Sequence, residues 1–234
     1  MDTISKEKWE KGEHKKTITG NYRHHMAKRE RYVGDLIQRF TTPDMKAIEL
    51  GCGDGNNLEL LSKYFKVIYA CDNNPVRVER ARNIFPHINV TQNDVTNLYM
   101  QERFDFVLLN HVLEHLPDTS HALNNIYKIM NKQGLLLIGI PNEGALFWKF
   151  AYRIQPKSLE NTEHIQFFTK NSIIEQCEKA GFAIAEFKYI GWGVPHWSVD
   201  SRIRRYKIFD DLFEFFGRGL IPSQATSMYV LVRK

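Results

Sequence analysis

Ala47-Ile48-Glu49-Leu50-Gly51-Cys52-Gly53-Asp54-Gly55-Asn56-Asn57 is the stretch from which the rest of the chain is best read. Ala47 to Leu50 is a short apolar run of strand type, interrupted by Glu49. Glycines follow at alternate positions, and from Asn57 the apolar residues Leu58, Leu60, Leu61 and Phe65 take a helical spacing. A strand that breaks into glycines and then a helix sets bare backbone N–H groups beside a ligand. In a doubly wound sheet this first turn is where a nucleotide-type cofactor sits. The dinucleotide version wants its third glycine three residues after the second. Here that position is Asn56, and the glycine comes one residue early at Gly55. Asp54 inside the loop would repel a phosphate and suits a cationic ligand.

Working outward, strand and helix patterns alternate after the turn Thr41-Thr42-Pro43-Asp44. Strands are expected at Lys66–Cys71, Ile88–Thr91, Phe104–Leu109 and Leu135–Ile140, with helices at Pro75–Phe85 and His121–Met130. Beyond Pro141 the rhythm changes. Asn142 to Glu163 reads as irregular and aromatic. A helix at Thr169–Ala180, capped by Thr169 or Asn171, then runs through Gly181 into a strand at Phe182–Ile190. The last strand is Met228–Arg233. The expectation is a single α/β domain over 1–234, with a doubly wound, mostly parallel seven-stranded sheet, an antiparallel last strand and helices on both faces. Residues 1–40 form an N-terminal arm and helices, and 41–140 the cofactor-binding core. Residues 141–170 and 191–223 are insertions over the carboxyl ends of the strands.

The segment Glu49-Leu50-Gly51-Cys52-Gly53-Asp54-Gly55 resembles the first motif of the S-adenosylmethionine-dependent methyltransferases of the Rossmann-like type, acidic–hydrophobic–G-x-G-x-G. That cofactor carries an ammonium and a sulfonium, which fits an acidic glycine loop. Glu49, Gly51, Gly53 and Gly55 would then line it. Asp72 ends the second strand, 17 residues after Gly55, where an acid can accept both ribose hydroxyls. The resemblance implies that role for Asp72, an adenine-edge contact for Asn73, and for Asp94 acceptance from the adenine amino group with Val95 as apolar neighbour.

The fourth strand continues as Asn110-His111-Val112-Leu113-Glu114-His115-Leu116. F-D-x-V-x-x-x-H-V-L-E-H-L is similar to the signature of family members that methylate small molecules. It places Asn110 by the methionine part of the cofactor and His111 as substrate contact or base. Glu114 and His115 either meet substrate or brace the next helix. Ile140-Pro141-Asn142-Glu143 and Glu163-His164-Ile165-Gln166-Phe167-Phe168 resemble the C-terminal pattern of methyltransferases from glycan and natural-product pathways. There the histidine of E-H-x-x-x-F faces the substrate pocket, so His164 is the leading candidate for general base, its ordinary pKa of ~6.5 suiting that task. Asn142, His115, Arg153, Arg202 and Arg205 complete the expected substrate side, with Arg204, Lys207 and Lys157 as further cations for an anionic acceptor. No proline motif follows Asn110 and no cysteine lies between Cys71 and Cys177, which disfavours base-amino and 5-methylpyrimidine chemistry. His87, His111, His115 and His121 show no metal-ligand spacing, so no metal is expected.

The net charge of +5 favours an anionic small-molecule substrate without demanding nucleic acid. Residues 1–32 hold nine Lys/Arg against five acids. They read as a solvated arm or as a lid in which Arg23, His24 or His25 closes over the site. The absence of a long apolar run or signal region, with three unpaired cysteines, suggests a reduced cytoplasmic protein. Ile208, Phe209, Leu212, Phe213, Phe215 and Phe216 make a wide apolar helix side. Packing as a lid is expected first and a homodimer interface second. A membrane-surface helix comes last, given Asp210, Asp211 and Glu214. The sequence therefore points to methylation of a small, anionic or sugar- or phospho-type acceptor on oxygen, as in polysaccharide biosynthesis. The alternatives are an RNA methyltransferase or a cofactor-binding regulator without transferase activity.

Overall fold

The computed structural model describes residue 11 and residues 22–154, 163–194 and 196–234. The arm before Tyr22, apart from Lys11, and Lys157 lie outside the described residues. The elements follow the expected alternation. Helix α1 (Arg23–Phe40) precedes β1 (Lys46–Leu50), α2 (Leu58–Ser62), β2 (Val67–Asp72), α3 (Pro75–Ile84), β3 (Asn89–Gln92) and β4 (Phe104–Asn110). Then come α4 (Thr119–Ile129), β5 (Met130–Pro141), α5 (Leu146–Ile154), α6 (Lys170–Lys179) and β6 (Ala183–Ile190). Helices α7 (Trp197–Arg204) and α8 (Lys207–Leu220) lead to β7 (Ser227–Arg233).

The seven strands form one sheet in the order β3-β2-β1-β4-β5-β7-β6, parallel except that β7 runs antiparallel to both β5 and β6. The order reverses between β1 and β4, so the crevice at their carboxyl ends is the topological switch point. The core splits by strand parity. In β4, Val107 and Leu109 pack with Leu123 and Ile126 of α4 and Ile173 of α6. Phe106 and Leu108 face the other way, toward Val33, Leu36 and Ile37 of α1, Leu58 and Leu61 of α2, and Val78 of α3. A strand buried on both faces reads as the continuous apolar run seen at Phe106–Leu109. Lys132-Gln133-Gly134 sits inside β5 as a bulge, with Gln133 at φ 64° and the β4 pairing jumping from Met130 to Leu135.

The stretch expected to be irregular after Asn142 contains α5, because Ala145 and Trp148 are buried together and Tyr152 packs against them one turn apart. The polarity of α8 is the reverse of a packed lid. Asp210 is 0% exposed and Glu214 is buried, while Phe215 and Leu220 are each 74% exposed. Its acids are drawn inward by cations on other elements. Arg204, itself buried, donates to Asp200 (Nε to Oδ2, 2.9 Å) and to Asp210, and Lys28 of α1 pairs with Asp210 and Asp211. Glu214 accepts from the Trp192 N–H at 3.2 Å. His25 lies inside this network, where burial and then Arg204 hold its imidazole well below the usual range. His25 is therefore a neutral structural group and not part of a lid. Arg204 is likewise committed to the network and is not a cation for substrate. Among the described residues no helix is long and apolar enough to cross a membrane.

Candidate active site

The glycine loop leaves β1 in a conformation that side chains disfavour. Gly51, Gly53 and Gly55 have φ of 72°, 55° and 90°, and a Cβ on Gly51 would stand 2.4 Å from Val112 Cγ2. The loop is then fastened to the end of β2. Gly51 N–H and Cys52 N–H donate to the Cys71 carbonyl at 2.8 and 2.9 Å, and Gly53 N–H donates to Asp72 Oδ2 at 2.8 Å. Asp72 Oδ1 accepts from Asn74 N–H at 2.9 Å. Each carboxylate oxygen keeps a second lone pair, so this bracing leaves Asp72 acceptor capacity toward the crevice.

Glu49 is buried under the loop. Asn57 Nδ2 donates to its Oε1 at 2.6 Å, and Oε2 has no hydrogen-bond partner. Burial raises its carboxyl to about 8 against the pull of Asn57, with the Asp72 charge adding to the rise. Asn73 and Asp94 are exposed beside this edge, and Val95 is buried in the core. Asp94 Oδ1 accepts from the Thr96 N–H and hydroxyl, both at 2.8 Å, capping a short turn.

Asn110, at the end of β4, joins the N-terminal helix to the last strand. Its Oδ1 accepts from Arg29 Nη2 at 3.2 Å and from the Tyr229 hydroxyl at 3.0 Å, and Arg29 Nε donates to that hydroxyl at 2.6 Å. Gly139 makes room for this node, since a Cβ there would meet Asn110 Oδ1 at 2.3 Å. Arg29 and Tyr229, with Arg23, Asn56 and Asn57, also line a cavity of about 310 Å³ below α1. Of the expected cofactor and substrate residues, that cavity reaches only Asn110.

The H-V-L-E-H segment turns sharply after β4. His111 has φ 56°, and its Nδ1 lies 2.9 Å from Glu114 Oε1. A carboxylate only accepts, so Nδ1 carries the proton. Burial and then Arg29 hold His111 below the usual imidazole range despite Glu114, so it is neutral near pH 7. Burial would raise Glu114, but the contacts with His111 outweigh it and the carboxyl sits below its ordinary range. The Glu114 carbonyl accepts from Ile165 N–H and Gln166 N–H, both at 3.0 Å, pinning the E-H-I-Q-F-F segment onto this turn. His164 thereby comes beside His115, ring centroids 5.1 Å apart. His164 Nδ1 lies 2.9 Å from Glu143 Oε1, and His115 Nδ1 lies 3.1 Å from the Glu163 carbonyl.

The structure thus brings His111, Glu114, His115, Glu143 and His164 together, joining both sequence motifs. Asn142 has its amide group turned to the end of the chain. Asn142 is buried and spends its amide hydrogens on the Ser223 and Ala225 carbonyls at 2.8 and 2.9 Å, clamping the chain before β7. Arg153, Arg202 and Arg205 are exposed, and Arg205 stacks on Tyr206. Among the described residues none of the three makes an ion pair or hydrogen bond with the histidine cluster. Arg29 and Tyr229 were missed from sequence, since neither lies in a motif.

A family profile described as "Methyltransferase domain" matches residues 22–186, and the chain belongs to that family. Among curated proteins, a trans-aconitate 2-methyltransferase of Escherichia coli is 28% identical over 124 residues, covering 52% of this chain and 49% of that protein. A Shigella flexneri counterpart is 27% identical over the same length. The chain thus spans about half the length of the curated relatives it matches. Among solved structures, N-methyltransferase NodS from Bradyrhizobium japonicum, in complex with S-adenosyl-L-homocysteine, aligns with TM-score 0.62 at 16% identity, over 89% of this chain and 86% of that one. An S-adenosylmethionine-dependent methyltransferase from Archaeoglobus fulgidus aligns at 0.61 and 18%, over 88% and 94%. The [4+2]-cyclase SpnF aligns at 0.60 and 14%, over 88% and 80%. These likenesses establish the Rossmann-like methyltransferase fold.

Proposed function

We propose that the chain is an S-adenosylmethionine-dependent methyltransferase acting on an oxygen of a small anionic, sugar-type or phospho-type acceptor. The observation that carries this reading is the pairing of a left-handed glycine loop braced by Asp72 with a histidine–carboxylate cluster at the end of the adjacent β4. The donor set fits the cofactor. Glu49, with a buried oxygen lacking a partner, is suited to a nearby ammonium, and Gly51, Gly53 and Gly55 admit close backbone approach. Asp72 is assigned to the ribose, Asn73, Asp94 and Val95 to the adenine, and Asn110 to the methionine end.

When bound, the cofactor supplies an electrophilic methyl on a sulfonium, which leaves as a neutral thioether once the acceptor oxygen takes the methyl. The residues must hold that oxygen in line at near-attack distance and accept its proton. His164 is the assigned proton acceptor, with Glu143 through Nδ1 stabilising the imidazolium that forms. Neutral His111 keeps a buried Nε2 that has no hydrogen-bond partner, and this nitrogen is assigned to the acceptor. Support for an anionic acceptor comes from the net charge of +5 and from a relative named for trans-aconitate.

Labelled-methyl transfer to panels of carboxylate, sugar and phospho-compound acceptors tests the reading. Transfer to one panel, with turnover lost and cofactor binding kept in His164→Ala, is expected. Cofactor binding with no transfer to any panel favours a second reading, a cofactor-binding protein with another task. The cyclase neighbour illustrates that one fold hosts different chemistries.

A further inference from the structure

Glu114, His115 and His164 each place one ligand atom within 4.8 Å of the other two. We infer that they form a site for a divalent first-row transition-metal ion on the acceptor side of the crevice. The inference deepens the proposed function by naming what activates the acceptor oxygen, and it rests on that reading for its catalytic role.

Each of the three is held from behind by a second group. His115 donates Nδ1–H to the Glu163 carbonyl, His164 donates Nδ1–H to Glu143, and Glu114 Oε1 accepts from His111 Nδ1–H. Metal-binding imidazoles are oriented in this way, with one nitrogen donating to a carbonyl or carboxylate while the other faces the ion. The strongest independent sign is Glu114 Oε2. The residue is 0% exposed, and this oxygen has no hydrogen-bond partner. A buried carboxylate oxygen left unsatisfied is costly, and a cation between it and two imidazoles removes that cost.

Two imidazoles and one carboxylate suit zinc, cobalt, iron or manganese better than magnesium or calcium, which prefer all-oxygen shells. An ion with bonds of ~2.1 Å spaces tetrahedral ligand atoms about 3.4 Å apart, so the donors must draw in by roughly 1.4 Å at most. Three protein ligands leave positions open for the acceptor hydroxyl. Coordination lowers the hydroxyl pKa as it does that of bound water, and the proton leaves to solvent. The resulting alkoxide oxygen forms the new O–CH₃ bond as the C–S bond breaks, its electron pair staying on sulfur. His164 is then a ligand instead of the proton acceptor.

The sequence hid this site because His115 and His164 lie on separate segments with no ligand spacing between them. The test is titration of untagged, chelator-stripped protein with Co²⁺, read by visible absorption and calorimetry in the presence of S-adenosylhomocysteine. One equivalent is expected to bind with a ligand-field spectrum. Affinity should fall at least tenfold in His115→Ala, in His164→Ala and in Glu114→Gln, and by about tenfold in Glu143→Gln, which removes only an orienting partner. No stoichiometric Co²⁺ binding by folded protein that still binds S-adenosylhomocysteine overturns the inference. So does unchanged affinity in His115→Ala, the partly exposed ligand whose loss the fold tolerates best. Co²⁺ binding without S-adenosylhomocysteine binding leaves the metal site standing and removes the proposed function instead.

Discussion

Gly53 N–H donates to Asp72 Oδ2 at 2.8 Å, so the glycine loop after β1 and the acid at the end of β2 form one rigid unit. The same carboxylate that is assigned to a ribose also sets the shape of the loop beneath it. Asp72→Ala therefore loses both roles. Hydrogen bonds to a charged group are worth ~1.5–3 kcal/mol, so S-adenosylhomocysteine affinity should drop roughly ten- to a hundred-fold. Asp72→Asn keeps one acceptor oxygen and should lose less. Calorimetric titration of the two variants separates them, and equal affinity to wild type in Asp72→Ala would remove the ribose assignment.

Glu49 makes stability depend on pH in a defined direction. Its carboxyl titrates near 8 in the folded protein and in the ordinary carboxylate range when unfolded. Across that interval the folded chain holds the extra proton. Its contribution is fully present below the unfolded value and is lost as pH rises through about 8, on the order of a few kcal/mol. Melts of the unliganded protein between pH 5 and 9 should show a decline that flattens in Glu49→Gln; an identical slope in that variant contradicts the placement. A cofactor ammonium near Glu49 would favour the ionised form. Binding at neutral pH should then release a proton, measurable as a buffer-dependent binding enthalpy.

Gly139 and Gly219 should respond in opposite ways to the same substitution. A Cβ on Gly139 would stand 2.3 Å from Asn110 Oδ1 and 2.6 Å from Tyr229 Cε1, whereas one on Gly219 meets nothing within 4 Å. Gly139→Ala should cost ~1–3 kcal/mol and lower Tm by about 2–10 °C through the Arg29–Asn110–Tyr229 node. Gly219→Ala, in the last turn of α8, should be neutral or slightly stabilising. Differential scanning fluorimetry reads both, and an unshifted Tm in Gly139→Ala is the contrary outcome.

The reversed face of α8 gives an equally direct contrast. Asp210 is buried between Arg204 and Lys28, so Asp210→Ala removes one of the two carboxylate partners of each cation, leaving Asp200 and Asp211, and should cost ~1.5–3 kcal/mol. Phe215, on the exposed side, should change stability by less than about 0.5 kcal/mol on conversion to Ser. Urea denaturation that ranked the two the other way would mean that the apolar face is the packed one.

The sheet was legible because Phe106–Leu109 and Ile68–Cys71 carry the continuous apolar runs that doubly covered strands need. The loop at Gly51–Gly55 and the acid at Asp72 were legible because local spacing alone sets them. Alternating polarity in α8 showed two faces, but not which one turns inward. That depended on Lys28 and Arg204, which belong to other helices. The clamp made by Asn142 was not legible because its partners, the Ser223 and Ala225 carbonyls, are supplied by the far end of the chain. The meeting of His115 with His164 required the two backbone hydrogen bonds from Ile165 and Gln166 to the Glu114 carbonyl, which no spacing rule encodes.

The most direct measurement of the central claim is calorimetric titration of purified, cofactor-free protein with S-adenosylmethionine and S-adenosylhomocysteine. One site per chain is expected, with Kd at or near the micromolar range for both ligands. Absence of binding in a folded sample would contradict it, and the glycine loop braced by Asp72 would then have to serve a different ligand.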